Sequence, residues 1–160
     1  MLPFTRNAFD PMDFTPLSLD TVPRINRKTT KGFELALSII FLSGIQHFVE
    51  TPAGMAKMND DVKNFLRTLP VQWDDSKFIS GYPAKDVVIA RRSGEKWYIG
   101  GINGESMSKT IALNLQFLNG RKARLITDGE NRSLSFVDKK VVANTEITLK
   151  PYGGFAMIIE

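Results

Sequence analysis

The sequence predicts an α+β chain in two parts. Residues 1–70 read as the last βαβα portion of a (β/α)8 barrel, and residues 71–160 as an antiparallel β-sandwich. Three observations predict it. Through the first seventy residues short apolar runs alternate with helical patterns, which is the order of βα units and implies parallel strands. From Val71 onward apolar residues recur at every second position between Gly, Asn and Asp turns, and no helical stretch returns. Finally, two strands with two helices cannot close a core, whereas a whole barrel takes about 250 residues. The first seventy residues are therefore expected to be the final quarter of a barrel within a larger protein.

The elements follow in order. Met1 stands at the start of a strand, Leu2-Pro3-Phe4-Thr5, which feeds a loop from Arg6 to Lys28 rich in proline and aspartate. The loop is long for a compact domain, where structureless connections beyond about 12–15 residues are usually functional or disordered. It also follows a strand, on the face where barrels place their active sites. Thr29 or Thr30 caps a helix over 33–43 that Gly44 ends. This helix is apolar on nearly every side, so its outer side is expected to be covered by another domain. Ile45 to Val49 suits a second short strand. Asn59 caps a helix whose Val62, Phe65, Leu66 and Leu69 share one face, with Arg67 in its last turn and Pro70 as its stop. Seven strands then fit the second part: Val87–Arg91, Trp97–Ile102, Thr110–Phe117, Ala123–Thr127, Leu134–Val137, Ile147–Lys150 and Phe155–Ile159. Turn signals at Ser93-Gly94, Asn119-Gly120, Asp128-Gly129 and Gly153-Gly154 separate them.

Composition excludes several chemistries. With no cysteine and a single histidine, His47, there is no disulfide, no thiolate nucleophile and no Cys- or His-cluster metal site. No basic segment followed by an apolar one marks a signal peptide at the start, and the apolar stretch near Phe33 to Ile45 is too short to span a bilayer. The net charge of +4 is spread over both parts. Arg24, Arg27, Lys28 and Lys31 lie close together, and read as a solvated loop rather than a phosphate or nucleic-acid site. Neither nucleic acid nor membrane is an expected partner.

A series of segments gives the chain a family resemblance. Leu2-Pro3-Phe4-Thr5-Arg6-Asn7, Pro11-Met12-Asp13-Phe14-Thr15-Pro16, Phe33-Glu34-Leu35-Ala36-Leu37, Ser43-Gly44-Ile45-Gln46-His47 and Pro52-Ala53-Gly54-Met55 resemble, in order, the C-terminal part of glycoside hydrolase family 97. So do Trp73-Asp74-Asp75, Gly81-Tyr82-Pro83, the run from Trp97 to Asn103 and the ending Leu149 to Phe155. The resemblance implies a parent α-glycosidase of three parts, an N-terminal β-sandwich, a catalytic barrel and a C-terminal β-sandwich. Such a parent cleaves α-glucosidic or α-galactosidic bonds of oligosaccharides, usually with bound calcium, in the periplasm. Its acid and its nucleophile or base lie upstream of the Pro-Phe-Thr-Arg segment, so no catalytic and no metal-ligating residue is carried over to this chain, which alone is expected to be inactive.

What the chain can offer is a lining for the sugar site. Arg6 and Asp13 in the loop, and His47 and Glu50 at the end of the second strand, are the substrate-lining candidates. Asp10 and Asp13 resemble a catalytic pair but sit where Asp near proline forms turns. His47 reads more readily as a hydrogen-bonded packing residue than as a sugar contact. Asp74-Asp75 and Asp128-Gly129-Glu130 have the oxygens for calcium but the context of turn acids. Trp73, Tyr82, Trp97 and Tyr98 read as core or interdomain aromatics before they read as a sugar platform. Lys109, on the sandwich surface, is expected to have almost no effect on kcat/KM. The competing function is a free-standing carbohydrate-binding or docking β-sandwich without catalysis.

Overall fold

Period-two patterning in the second part produces eight antiparallel strands in the computed structural model, which describes residues 1–15, 17–20 and 26–160. They are β1 (Asp75–Tyr82), β2 (Asp86–Ser93), β3 (Lys96–Asn103), β4 (Lys109–Asn114), β5 (Lys122–Asp128), β6 (Leu134–Lys140), β7 (Asn144–Leu149) and β8 (Gly154–Ile159). Six of them form a sheet in the order β1-β2-β3-β8-β5-β6, and β4 pairs with β7 as a two-stranded sheet. The expected sandwich is thus present, with one strand more than the seven expected. β1 escapes the pattern because Asp75-Ser76-Lys77-Phe78 is an edge with little burial, and its register shifts between Phe78 and Ser80. The run expected to extend to Phe117 leaves the sheet at Asn114. Gln116–Leu118 turn into a 3-10 helix that buries Leu118 and exposes Phe117.

The two sheets bury Val88, Ile99, Ile111, Leu113, Phe155, Met157 and Ile159 between them. The opposite face of the larger sheet is apolar as well. Tyr98, Ile126 and Ala156 meet Leu35, Ile39, Val62 and Phe65 of a helical layer, and Val87 and Ile89 meet Ala36 and Ile40. Two-sided burial explains why β2 reads Val87-Val88-Ile89-Ala90 without alternation.

The helices are α1 (Lys31–Ile40), α2 (Pro52–Ala56) and α3 (Asp60–Thr68). Their starts follow local chemistry: the side chains of Thr30, Thr51 and Asn59 accept from Phe33 N, Gly54 N and Asp61 N. The Thr51-Pro52 cap and first-turn proline are the signal for α2, which periodicity does not show. The cover expected for the all-round apolar helix is the six-stranded sheet. α1 lies flush on it because the strands below are small: a Cβ on Gly100 would stand 2.9 Å from Ala36 O, and one on Gly154 2.6 Å from Phe33 Cα.

Charges of the sheet hold α1 at both ends. At its start Asp128 Oδ1 accepts from Gly32 N at 2.9 Å, and Oδ2 accepts from Thr30 Oγ1 at 2.7 Å and Gly154 N at 3.0 Å. At its end the buried Arg91 donates from Nε to Ile39 O at 2.6 Å, from Nη2 to Ile40 O at 2.9 Å and from Nη1 to Ser76 Oγ at 2.7 Å. A carboxylate at the amino end and a guanidinium at the carboxyl end both complement the helix dipole. Burial pulls the Arg91 pKa down to about 10, which leaves it cationic at neutral pH. With Arg91 as its cap, α1 ends at Ile40, ahead of the expected stop at Gly44.

The first seventy residues depart from the expected βαβα order. Leu2–Phe4 and Arg6–Ala8 are 3-10 turns, and 45–49 forms no strand. A parallel strand needs paired neighbours, and among the described residues Leu2–Thr5 finds none. The sole parallel pairing described is the single bridge Phe14↔Gln46. Arg24 of the basic cluster lies outside the described residues, as do Pro16 and Pro23 of the long loop.

Candidate functional site

Backbone hydrogen bonds gather the two segments that hold the candidates. Asn7 is buried and pairs through its amide with Leu42, Nδ2 to O and Oδ1 from N, both at 2.8 Å; Met12 N adds a bond to the same carbonyl at 3.0 Å. The Phe14↔Gln46 bridge then sets the segment of Asp13 beside that of His47. Further along, Glu50 Oε2 accepts from Leu19 N at 2.7 Å and Asp20 N at 2.8 Å, and Oε1 from Thr51 N at 2.9 Å. Those bonds hold Leu17 and Leu19 in the core although Leu17 has a left-handed backbone, φ 77°, which strains a branched side chain.

The four candidates therefore separate. Asp13 and His47 are exposed on adjoining segments, and no hydrogen bond or ion pair engages their side chains among the described residues. Arg6 is exposed on the 3-10 turn Arg6–Ala8. Glu50 is turned inward, with both oxygens on backbone amides and Oε1 packed against Gly54, where a Cβ would stand 2.2 Å away. Asp10 is exposed and its backbone closes the turn, its N donating to Arg6 O and its O accepting from Asn7 Nδ2.

Sequence reasoning passed over Gln46. Its Nε2 donates to Ser38 O at 2.9 Å, while its Oε1 is buried without a donor among the described residues. It lies on the wall of a groove of about 460 Å³ shared with Ser43, Phe48, Arg67 and Pro70. The signal was its place beside His47. Exposed Ile45, Phe48 and Val71 also line this groove.

The other tempting groups resolve as structure. Asp74 Oδ2 accepts from Gly94 N at 2.7 Å, and Asp128 is the α1 ligand described above. Among the described residues no three acidic or histidine side chains gather as a metal would require, so they do not fit a calcium site. Trp97 and Tyr98 are buried in the sheet, and Trp73 packs edge-on to Tyr98 with centroids 5.3 Å apart. Tyr82 alone of the four aromatics is exposed, with Lys85 Nζ 5.3 Å above its ring.

Comparison with known proteins agrees with this geometry. The family described as "Glycosyl-hydrolase 97 C-terminal, oligomerisation" matches residues 72–160. The retaining alpha-galactosidase of Bacteroides thetaiotaomicron is 29% identical over 178 aligned positions, covering 100% of this chain and 27% of that protein. A probable retaining alpha-galactosidase of Streptomyces bingchenggensis is 41% identical over 100 residues, 62% of this chain and 15% of that protein. Among solved structures, a beta-arabinopyranosidase superposes with a TM-score of 0.88 at 27% identity, over 96% of this chain and 26% of that one. A glycoside hydrolase family 97 enzyme from Pseudoalteromonas sp. in complex with panose gives 0.84 at 28% identity, over 100% and 28%. The chain thus spans about a quarter or less of the length of these relatives. As the resemblance implied, it belongs to glycoside hydrolase family 97, whose C-terminal domain it contains.

Proposed function

We propose that the chain serves as the C-terminal part of an α-glycosidase that cleaves α-galactosidic bonds in oligosaccharides. Its residues 1–70 would complete the catalytic barrel, and 71–160 would be the appended sandwich. The observation behind this reading is that similarity to the Bacteroides retaining alpha-galactosidase runs through both parts of the chain, with the helical layer as well as the sheet. The exposed apolar residues Phe9, Ile45, Phe48 and Val71 supply the surface that the rest of a barrel would cover.

In such an enzyme the paired carboxylates that protonate the leaving oxygen and attack or activate water would come from upstream of Leu2. This chain would contribute Arg6, Asp13 and His47 as polar groups on the sugar side, with Glu50 setting the loop that presents them. Calcium, where the parent binds it, would belong with those upstream glutamates. A periplasmic setting rests on the resemblance alone. The binding-module alternative finds one supporting feature, the exposed Tyr82 with Lys85, whose ring face is already occupied by a cation.

The test is reconstitution. The chain joined to the upstream three quarters of the Bacteroides protein is expected to hydrolyse nitrophenyl α-galactoside, and the chain alone to show no turnover. Turnover by the chain alone, or a soluble folded chimera without activity, would refute the proposal.

A further inference from the structure

The carboxyl end of α1 has a complete set of acceptor partners. Leu37 O accepts from Phe41 N, Ser38 O from Gln46 Nε2, Ile39 O from Arg91 Nε and Ile40 O from Arg91 Nη2. Helices leave their last carbonyls without intrahelical partners, and here the Gln46 and Arg91 side chains cap the last three. Their sources are informative. Arg91 belongs to β2 of the sandwich, Gln46 to the loop that presents His47, and Leu42, two residues past the helix, is held by Asn7 of the other site segment. One sandwich side chain and one loop side chain therefore sit on successive carbonyls of a single helix end. At the other end of the helix, Asp128 of β5 fixes the start through Thr30 Oγ1 and Gly32 N.

We propose that Arg91 and Asp128 make the sandwich a positioning device for the sugar-facing segment 42–50, holding α1 from both ends and, through its last carbonyls, the placement of Gln46 and His47. The functional consequence rests on the α-glycosidase reading, whereas the mechanical coupling stands on the geometry. Neither residue touches the sugar: both act through α1, and their effect on a reaction would appear in substrate placement. Arg91 delivers three hydrogen bonds from one planar group, a geometry that an ammonium cannot reproduce. Lysine at that position would supply the charge to one carbonyl and leave the other unpaired.

Native-state amide hydrogen exchange on the whole 160-residue chain tests the coupling. Arg91→Met is expected to speed exchange at 41–50 about tenfold or more while the β4 and β7 amides keep their wild-type rates. Arg91→Lys is expected to fall between. Asp128→Asn, which keeps a side chain of the same shape, gives the same pattern more weakly and serves where Arg91→Met does not fold. Unchanged rates at 41–50, or rates that rise equally in β4 and β7, would overturn the proposal, since the latter is plain loss of stability. In the chimera of the previous section, Arg91→Lys should raise KM for nitrophenyl α-galactoside several-fold at 25 °C, well below its melting point. An inactive wild-type chimera would refute the functional reading and leave the exchange result standing. An active chimera with wild-type kinetics in Arg91→Lys would refute the positioning role.

Discussion

Replacing Gly32 by alanine separates local helix preference from the packing observed here. In an exposed helix interior, Gly→Ala is worth up to about 1 kcal/mol in favour of alanine. Gly32 has an ordinary helical backbone, so nothing conformational demands glycine. The obstacle is space: a Cβ at Gly32 would lie 2.2 Å from Gly154 O and 2.8 Å from Asp128 Oδ1. The first of these is backbone of β8 and cannot swing aside, so α1 must lift by about an ångström. Overpacking of this kind costs about 1–3 kcal/mol. Lifting also stretches the bond from Gly32 N to Asp128, one of the charged-acceptor bonds worth about 1.5–3 kcal/mol. Against the helix-propensity gain, the net loss is about 2–4 kcal/mol. For a protein of this length that corresponds to roughly 5–15 °C in Tm. Thermal and urea denaturation followed by far-ultraviolet circular dichroism measure it. Gly44→Ala is the control, because no atom lies within 4 Å of its Cβ direction, and its Tm should stay within about 2 °C of wild type. A Gly32→Ala protein as stable as wild type, or more so, would show that the close seating of α1 on β8 is wrong.

Other expectations follow from the same packing. Phe65, fully buried between α3 and the sheet, should cost about 3–5 kcal/mol as Phe65→Ala. The near- and far-ultraviolet transitions should stay coincident, since Trp73 and Tyr98 belong to the same cluster; separated transitions would mean that the helical layer melts by itself. Lys109→Met leaves the buried Asp86 carboxylate without its cation and should cost about 1–3 kcal/mol, as solvent reaches the lysine side of the pair. The Asp86 hydrogen bond holds the Lys109 pKa above its usual 10.5. The stabilisation is therefore fully present below 10.5 and is lost as pH rises through the raised value, so wild type should lose its advantage over Lys109→Met only in strong alkali. In the active chimera, Asp13→Ala and His47→Ala should each weaken kcat/KM about tenfold, the loss of one bond worth about 1.5 kcal/mol, with Tm unchanged. Full activity with a lowered Tm would make both residues structural.

How legible these features were in the sequence depended on the range of the interaction behind them. The caps at Thr30 and Asn59 act within three residues, and both helices begin where those side chains indicate. The strands with one wet face, β4 and β7 above all, show their period directly in alternating burial. β1 was lost because an edge strand needs no apolar face. The end of α1 was misplaced because its cap is Arg91, 52 residues beyond Ile39 in the chain, and no local pattern reports that. The pairing of Lys109 with the buried Asp86 was hidden for the same reason, since the two are 23 residues apart. Leu2–Thr5 and 45–49 have strand composition, yet composition alone cannot supply pairing partners. Asp13 and His47 could be proposed from their segments, while Gln46 needed the geometry, since only there does its amide meet the helix end.

The separation in sequence between α1 and its cover has a consequence in time. Thr30 and Asp128 are 98 residues apart, and the rest of the cover, β8, is the last strand of the chain. A ribosome adding about 5–20 residues per second needs roughly 5–20 s to bridge that interval. For most of it Leu35, Ala36, Ile39 and Ile40 have no sheet to lie on, and for the remainder only β1–β3, which lack the strands β8 and β5; a ten-residue helix is too short to persist in water alone. The nascent chain must therefore hold an apolar segment partly uncovered until β8 emerges, which makes that segment a natural place for a chaperone to engage and makes full docking of α1 a late event in folding.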